Sequence, residues 1–222
     1  MPAKRKPAYQ RLDNDARRAQ LLELGRAAFA KHPYDQVSID DLAAKAKLSK
    51  GLFYYYFPTK RDLYLAALEV TARELIDKVI TSVARYRTPR ERALAGVEAY
   101  LDHVKSTGVA FVSLMRGGIG EDASVAGALE RVRTDLLDEF VTGNPIGAFL
   151  QTRPLSRLAI RSWIGMVEAA SIEWLSSPNM AKGPVRDLLV DLLFDLLSRV
   201  IGKEVSQTEL VGPVPARRPK HK

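Results

Sequence analysis

Residues 49–57 read Ser49-Lys50-Gly51-Leu52-Phe53-Tyr54-Tyr55-Tyr56-Phe57, and Pro58 follows at once. Serine is a preferred helix N-cap. Proline lacks a backbone donor and biases its predecessor away from the helical region. The segment therefore predicts a helix of about two turns, too short and too aromatic to be a self-standing core helix. At about 100° per residue, Phe53, Tyr56 and Phe57 share one face, leaving Lys50, Gly51, Tyr54 and Tyr55 on the other. Two tyrosines, a lysine and a glycine are poor packing groups and good DNA contacts. Tyrosine hydroxyls bond phosphates, and a glycine lets the backbone approach a base edge.

Working outward, Ser38-Ile39-Asp40-Asp41 reads as a capping box that opens a short helix, with Ile39, Leu42, Ala43 and Ala46 on one face. Lys47-Leu48 turns the chain into Ser49. Upstream, Leu21, Leu24 and Ala28, with Leu22, Gly25 and Phe29 beside them, give the amphipathic stripe of a first helix over Asp13–Lys31, stopped by His32-Pro33. Downstream, Thr59-Lys60-Arg61-Asp62 is another capping box, opening a long helix to about Arg85. Three short helices in about 45 residues, the last beginning at a serine after a tight turn, form a helix-turn-helix pattern.

Val37-Ser38-Ile39-Asp40-Asp41-Leu42-Ala43, Leu48-Ser49-Lys50-Gly51 and Tyr54-Tyr55-Tyr56-Phe57-Pro58-Thr59-Lys60 together strongly resemble the TetR family of transcriptional regulators, over roughly Arg17 to Leu68. The resemblance implies a small DNA-reading domain, a larger helical effector-binding domain and a homodimer. It implies that Ser38 caps the second helix and touches a phosphate, and that Ser49, Lys50 and Gly51 enter the major groove. Tyr54 and Tyr55 would hold the DNA backbone, and Lys60 would meet a phosphate. Arg17 and Arg18 are further phosphate candidates. Leu52 stands where the family more often has a small polar residue, so it would contact a thymine methyl or nothing. His32-Pro33 replaces the family's common glycine at the end of the first helix.

Charge agrees with a polyanion partner at one end. The chain carries +8 overall, with twelve Lys/Arg against six Asp/Glu up to Lys60 and twenty-two against twenty beyond it. A basic surface kept for solubility would give the same count. There is no cysteine, which excludes disulfides and thiolate metal sites. No apolar run approaches the ~20 residues of a membrane span. Met1-Pro2-Ala3-Lys4-Arg5-Lys6 has no apolar stretch behind it, so no signal peptide is expected, and the protein reads as cytoplasmic. His32, His103 and His221 are scattered, and neither a nucleophile elbow nor a phosphate-binding loop is present. An enzyme is not expected, nor a metal or a cofactor.

Nearly every segment has helical period and none alternates like a strand, so the class is all-α with roughly nine helices. The expected organisation is a basic disordered arm over residues 1–12, a helix-turn-helix domain over 13–60, an effector-binding and dimerisation domain over 61–203, and a basic disordered tail over 204–222. Helices are expected from Thr88-Pro89 to about Gly108, over Val109–Arg116 closing on Gly117-Gly118-Ile119-Gly120, over Asp122–Val141, over Pro154–Ser176 and over Pro184–Ile201. In the last, apolar residues from Val185 to Ile201 cover most of the circumference and leave only the stripe Asp187, Asp191, Asp195. So wide an apolar surface implies two partners, and the family implies a four-helix dimer interface. A charge at Leu193 or Leu197 is expected to produce a monomer or an insoluble chain. A deeply buried helix in a monomer is the alternative.

Tyr64, Tyr100, Phe111, Leu114, Met115, Trp163 and Met166 suit the wall of an effector pocket, although each also suits plain core. Arg116, Arg133 and Arg161 could meet an anionic ligand such as an acyl-coenzyme A or a nucleotide, or simply pair with acids, Arg133 with Glu130 for example. A small-molecule effector, anionic or lipophilic, is thus expected. The expected function is a repressor that binds a palindromic operator as a homodimer and is released by that effector. The alternative is an architectural or constitutive DNA-binding protein without one.

Overall fold

The computed structural model describes residues 8–108, 122–142 and 154–201. Among them are eight α-helices and one 3-10 turn, with no strand. The helices are α1 (Ala8–Phe29), α2 (Ile39–Lys45), α3 (Lys50–Tyr56), α4 (Lys60–Val83), α5 (Pro89–Ser106), α6 (Ala123–Thr142), α7 (Pro154–Ser176) and α8 (Lys182–Ile201). The expected helix over Val109–Arg116 and its glycine stop lie outside the described residues, as do residues 1–7 and the tail from 202.

Local chemistry sets most of the boundaries. Ser38 Oγ accepts from the Asp41 amide and Ser49 Oγ from the Leu52 amide, so α2 and α3 each begin on a serine cap. Thr59 and Asp62 cap α4 reciprocally, the Asp62 amide donating to Thr59 Oγ1 and the Thr59 amide to Asp62 Oδ2. Thr88 and Glu91 repeat that exchange at α5, with Pro89 at the first helical position. Helix α1 corrects the sequence reading at both ends. It starts at Ala8 rather than Asp13, because Ala8–Leu12 holds neither proline nor glycine to stop backward propagation. It stops at Phe29, two residues short of Lys31. The last helix starts at Lys182, two residues before Pro184, so the proline stands within its first turn, where a missing N–H costs nothing.

The turn between α2 and α3 is built from one left-handed residue. Lys47 has φ 56°, the only positive value at a non-glycine among the described residues. The Leu48 amide donates to Ala43 O and the Lys47 amide to Ala44 O, which closes the end of α2 as a Schellman pair.

The chain forms two compact units, Met1–Ala72 with Thr107–Ala128, and Arg73–Ser106 with Leu129–Lys222. The division falls inside α4. In the first unit Leu21, Phe53, Phe57 and Leu63 are almost completely buried. Gly25 lets α1 and α4 meet closely, since a Cβ there would lie 2.9 Å from Leu63 side-chain atoms. In the second unit α8 packs on both α7 and α5. Val97, Leu101, Val167, Trp174, Val185, Leu189 and Val190 form its core.

Candidate nucleic-acid interface and effector cavity

Helix α3 buries one face and shows the other. Phe53 and Phe57 are interior, and Tyr56 is half-buried with its hydroxyl donating to Asn14 Oδ1 of α1 at 3.0 Å. Leu52, Tyr54 and Tyr55 are exposed, Tyr55 to 61%. An added Cβ at Gly51 meets nothing within 4 Å, so this glycine leaves an open approach along the helix. The side chains assigned from sequence to one outward face therefore do share it.

The basic groups around that face are held. Lys50 Nζ lies 2.8 Å from Asp40 Oδ1, and the hydrogen bond to Asp40 raises the lysine above its ordinary value. Lys60 Nζ sits 4.4 Å from the centre of the Tyr34 ring and donates to the Asp35 carbonyl oxygen at 3.3 Å. Desolvation there lowers its pKa, so a phosphate would restore charge stabilisation that burial removed. Arg18 stacks its guanidinium on the Phe57 ring at 4.9 Å, and Arg17 donates to Gln20 Oε1 at 3.0 Å. Ser38 and Ser49 hydroxyls serve as caps, which leaves each hydroxyl proton available to an acceptor. Arg61, unremarked in sequence, bridges the starts of α4 and α6 through Asp122 Oδ1 (2.5 Å) and Ser124 Oγ (2.6 Å).

The second unit contains a cavity of about 190 Å³. Its wall is mainly aliphatic, from Ile76, Val79 and Val83 on α4 to Ile160, Ile164 and Leu193 on α7 and α8. Tyr100 and Trp163 line it. Trp163 Nε1 donates to the Leu189 carbonyl oxygen at 2.9 Å, and burial drives the Tyr100 phenol far above its usual value. Tyr64 does not line it. That residue packs edge-on to Phe29 and Tyr34 in the first unit, where burial raises its pKa to about 12. Met166 is half-buried on α7 and off the wall. Phe111, Leu114, Met115 and Arg116 lie outside the described residues.

The two remaining arginines are committed to carboxylates. Arg133 meets Glu168 through two bonds of 2.8 Å each, and also reaches Glu130. Arg161 donates to Glu130 at 2.7 Å. Pairing, rather than an open anion site, is what their geometry provides. Glu168, which the sequence reading passed over, is on the cavity wall, as is Arg92. No local spacing could have found it, since its partner is 35 positions away.

Burial divides the apolar surface of α8. Leu193 and Leu197 are buried and line the cavity, so they serve their own unit. The exposed leucines are instead Leu188 on α8 at 58%, with Leu155 and Leu158 on α7 at 62% and 60%.

A family model described as bacterial regulatory proteins, tetR family, matches residues 21–67, and one described as tetracyclin repressor-like, C-terminal domain, matches residues 89–196. The chain belongs to the TetR family. Among TetR-type relatives, the HTH-type transcriptional activator FasR of Mycolicibacterium smegmatis is 34% identical over 95 residues, 43% of each chain. The HTH-type transcriptional repressor SCO4008 of Streptomyces coelicolor is 33% identical over 69 residues, 31% of this chain and 34% of that one. The matches thus span less than half the length of these two curated relatives. A TetR-family regulator structure from Streptomyces coelicolor superposes with TM-score 0.70 at 29% identity, over 89% of this chain and 87% of that one. FadR of Bacillus subtilis, solved with stearoyl-CoA, shares the fold at TM-score 0.60 and 16% identity, over 81% and 97%. Among the described residues no helix is long and apolar enough to cross a membrane.

Proposed function

We propose that this TetR-family chain is a DNA-binding transcriptional regulator that grips a palindromic operator as a homodimer and releases it when a small molecule fills the cavity. The observation that carries the reading is α3: a two-turn helix anchored by buried Phe53 and Phe57, offering Lys50, Gly51, Leu52, Tyr54 and Tyr55 outward. Lys50 and Gly51 read base edges, while Tyr54, Tyr55, Lys60, Ser38 and the α1 arginines hold phosphates. Leu155, Leu158 and Leu188 support dimerisation through α7 and α8, since exposed leucines on two adjacent helices mark an interaction surface. Two recognition helices then keep the ~34–36 Å separation of successive half-sites.

Helix α4 supports the ligand response. It carries Lys60 in its first turn and contributes Ile76, Val79, Ile80 and Val83 to the cavity wall. A ligand that prefers the cavity in the DNA-incompetent state shifts the population away from the operator, and linkage makes operator DNA weaken ligand binding by the same factor. Where the operator overlaps a promoter, the outcome is repression. Genomic footprinting followed by titration tests this. One discrete palindromic site, lost on ligand addition, is the expected result. Uniform coverage of DNA would instead mark an architectural protein.

A further inference from the structure

The charge and size of the cavity say more about its ligand than the family does. Among the described residues its two charged lining groups, Arg92 and Glu168, are opposite in sign, and both are engaged by other groups in the protein. The neighbouring arginines that could have drawn an anion, Arg133 and Arg161, are bound to Glu168 and Glu130. An entering carboxylate or phosphate would lose its water and gain no uncommitted cation among the described residues, a costly exchange. An apolar surface loses nothing on this wall of valine, isoleucine and leucine.

Size is equally restrictive. A cavity of 150 Å³ lined by aliphatic side chains holds benzene. Scaling from that, about 190 Å³ corresponds to a ligand of about eight non-hydrogen atoms. Glu168 is the polar group on this wall with acceptor capacity to offer a ligand donor. Each Glu168 oxygen accepts one bond from Arg133, and a carboxylate oxygen has capacity for a second. A ligand hydroxyl or amide N–H can therefore donate to Glu168 without displacing Arg133.

We propose that the cavity binds a compact, uncharged apolar molecule of about eight non-hydrogen atoms with a single hydrogen-bond donor aimed at Glu168. The assignment rests on the regulator reading for its purpose, but its test does not need DNA.

The test is calorimetric titration of the full chain at pH 7.5 with straight-chain 1-alkanols of four to twelve carbons, with heptanoate, with methyl hexyl ether and with octanoyl-coenzyme A. Affinity is expected to rise about fourfold for each added methylene. It should stop rising near 1-heptanol, where the cavity is full. Methyl hexyl ether, which has the same number of non-hydrogen atoms and no donor, should bind about threefold to tenfold more weakly. Heptanoate should bind at least tenfold more weakly than 1-heptanol. Replacing Ala93 on the wall by leucine, Ala93→Leu, should abolish 1-heptanol binding by filling the space. If that variant does not fold, the chain-length limit in the wild type carries the test alone. Tighter binding of heptanoate or octanoyl-coenzyme A than of 1-heptanol overturns the proposal, as does affinity that climbs unbroken to twelve carbons. Failure of every alkanol to bind overturns it too, while leaving operator binding to be judged separately by footprinting. Saturable 1-heptanol binding that leaves operator affinity unchanged would uphold the cavity assignment and refute the ligand-release reading.

Discussion

Removing Arg133 should expose how much the second unit depends on a single ion pair. Arg133 and Glu168 are joined by two parallel bonds of 2.8 Å, with side chains only 21% and 17% exposed. Exposed pairs contribute about 0–1 kcal/mol. Breaking a fully buried pair costs about 3–5 kcal/mol, because it strands the surviving charge. This pair lies between those limits and nearer the buried one, so Arg133→Met should destabilise by about 2–3 kcal/mol. For a chain of this size that lowers Tm by roughly 4–12 °C. Adding Glu168→Met removes the stranded charge, and the double variant should return to within about 1 kcal/mol of wild type. The protein has two tryptophans, Trp163 and Trp174, both in the second unit, so urea unfolding followed by their fluorescence reports on the right region. If Arg133→Met unfolds within 0.5 kcal/mol of wild type at pH 7.5, in order-of-magnitude terms a surface pair, the reasoning fails.

Further expectations concern the DNA-reading unit and the exposed leucines. Lys47→Gly relieves the left-handed strain in the turn before α3 and should stabilise by about 0.5–1 kcal/mol in thermal melts, and a destabilised variant would contradict the backbone assignment. Lys60→Ala should weaken all DNA sites alike and reduce the salt slope by about one, whereas Gly51→Ala, which meets open space, should keep the fold and change site preference. Leu158→Glu with Leu188→Glu should give a folded monomer by light scattering and circular dichroism. Leu193→Glu should instead unfold the chain, because that side chain is buried in its own unit.

The sequence was most informative where partners lie three residues apart. The caps at Ser38, Ser49, Thr59 and Thr88 are local exchanges of side-chain and backbone bonds, and each is written in four consecutive residues. The split of α3 into buried Phe53 and Phe57 and exposed Tyr54 and Tyr55 follows from helical period alone. What period cannot supply is which of two apolar faces meets the chain's own core. Leu188, Leu193 and Leu197 all belong to one wide apolar surface in the sequence, and only the structure separates exposed Leu188 from the buried pair. Tyr64 was misplaced for a related reason. An aromatic residue suits any interior, and only the positions of Phe29 and Tyr34 assign it to the first unit. Arg61 with Asp122, and Arg133 with Glu168, are separated by 61 and 35 positions and leave no local trace.

On the proposed DNA-reading role of α3, the tie between Lys50 and Asp40 gives that helix a threshold. A lysine already neutralised by a carboxylate adds little to the positive field that draws the protein onto arbitrary DNA. For it to enter a groove, some acceptor there must outcompete Asp40. A lone phosphate in water competes poorly with a partner already held at 2.8 Å, while the paired O6 and N7 acceptors of a guanine edge, in a groove cleared of solvent, compete better. If Lys50 reads base edges as proposed, Asp40 lowers affinity for every sequence and lowers it least for the right one. Asp40→Asn should bind all DNA more tightly and distinguish its operator less well.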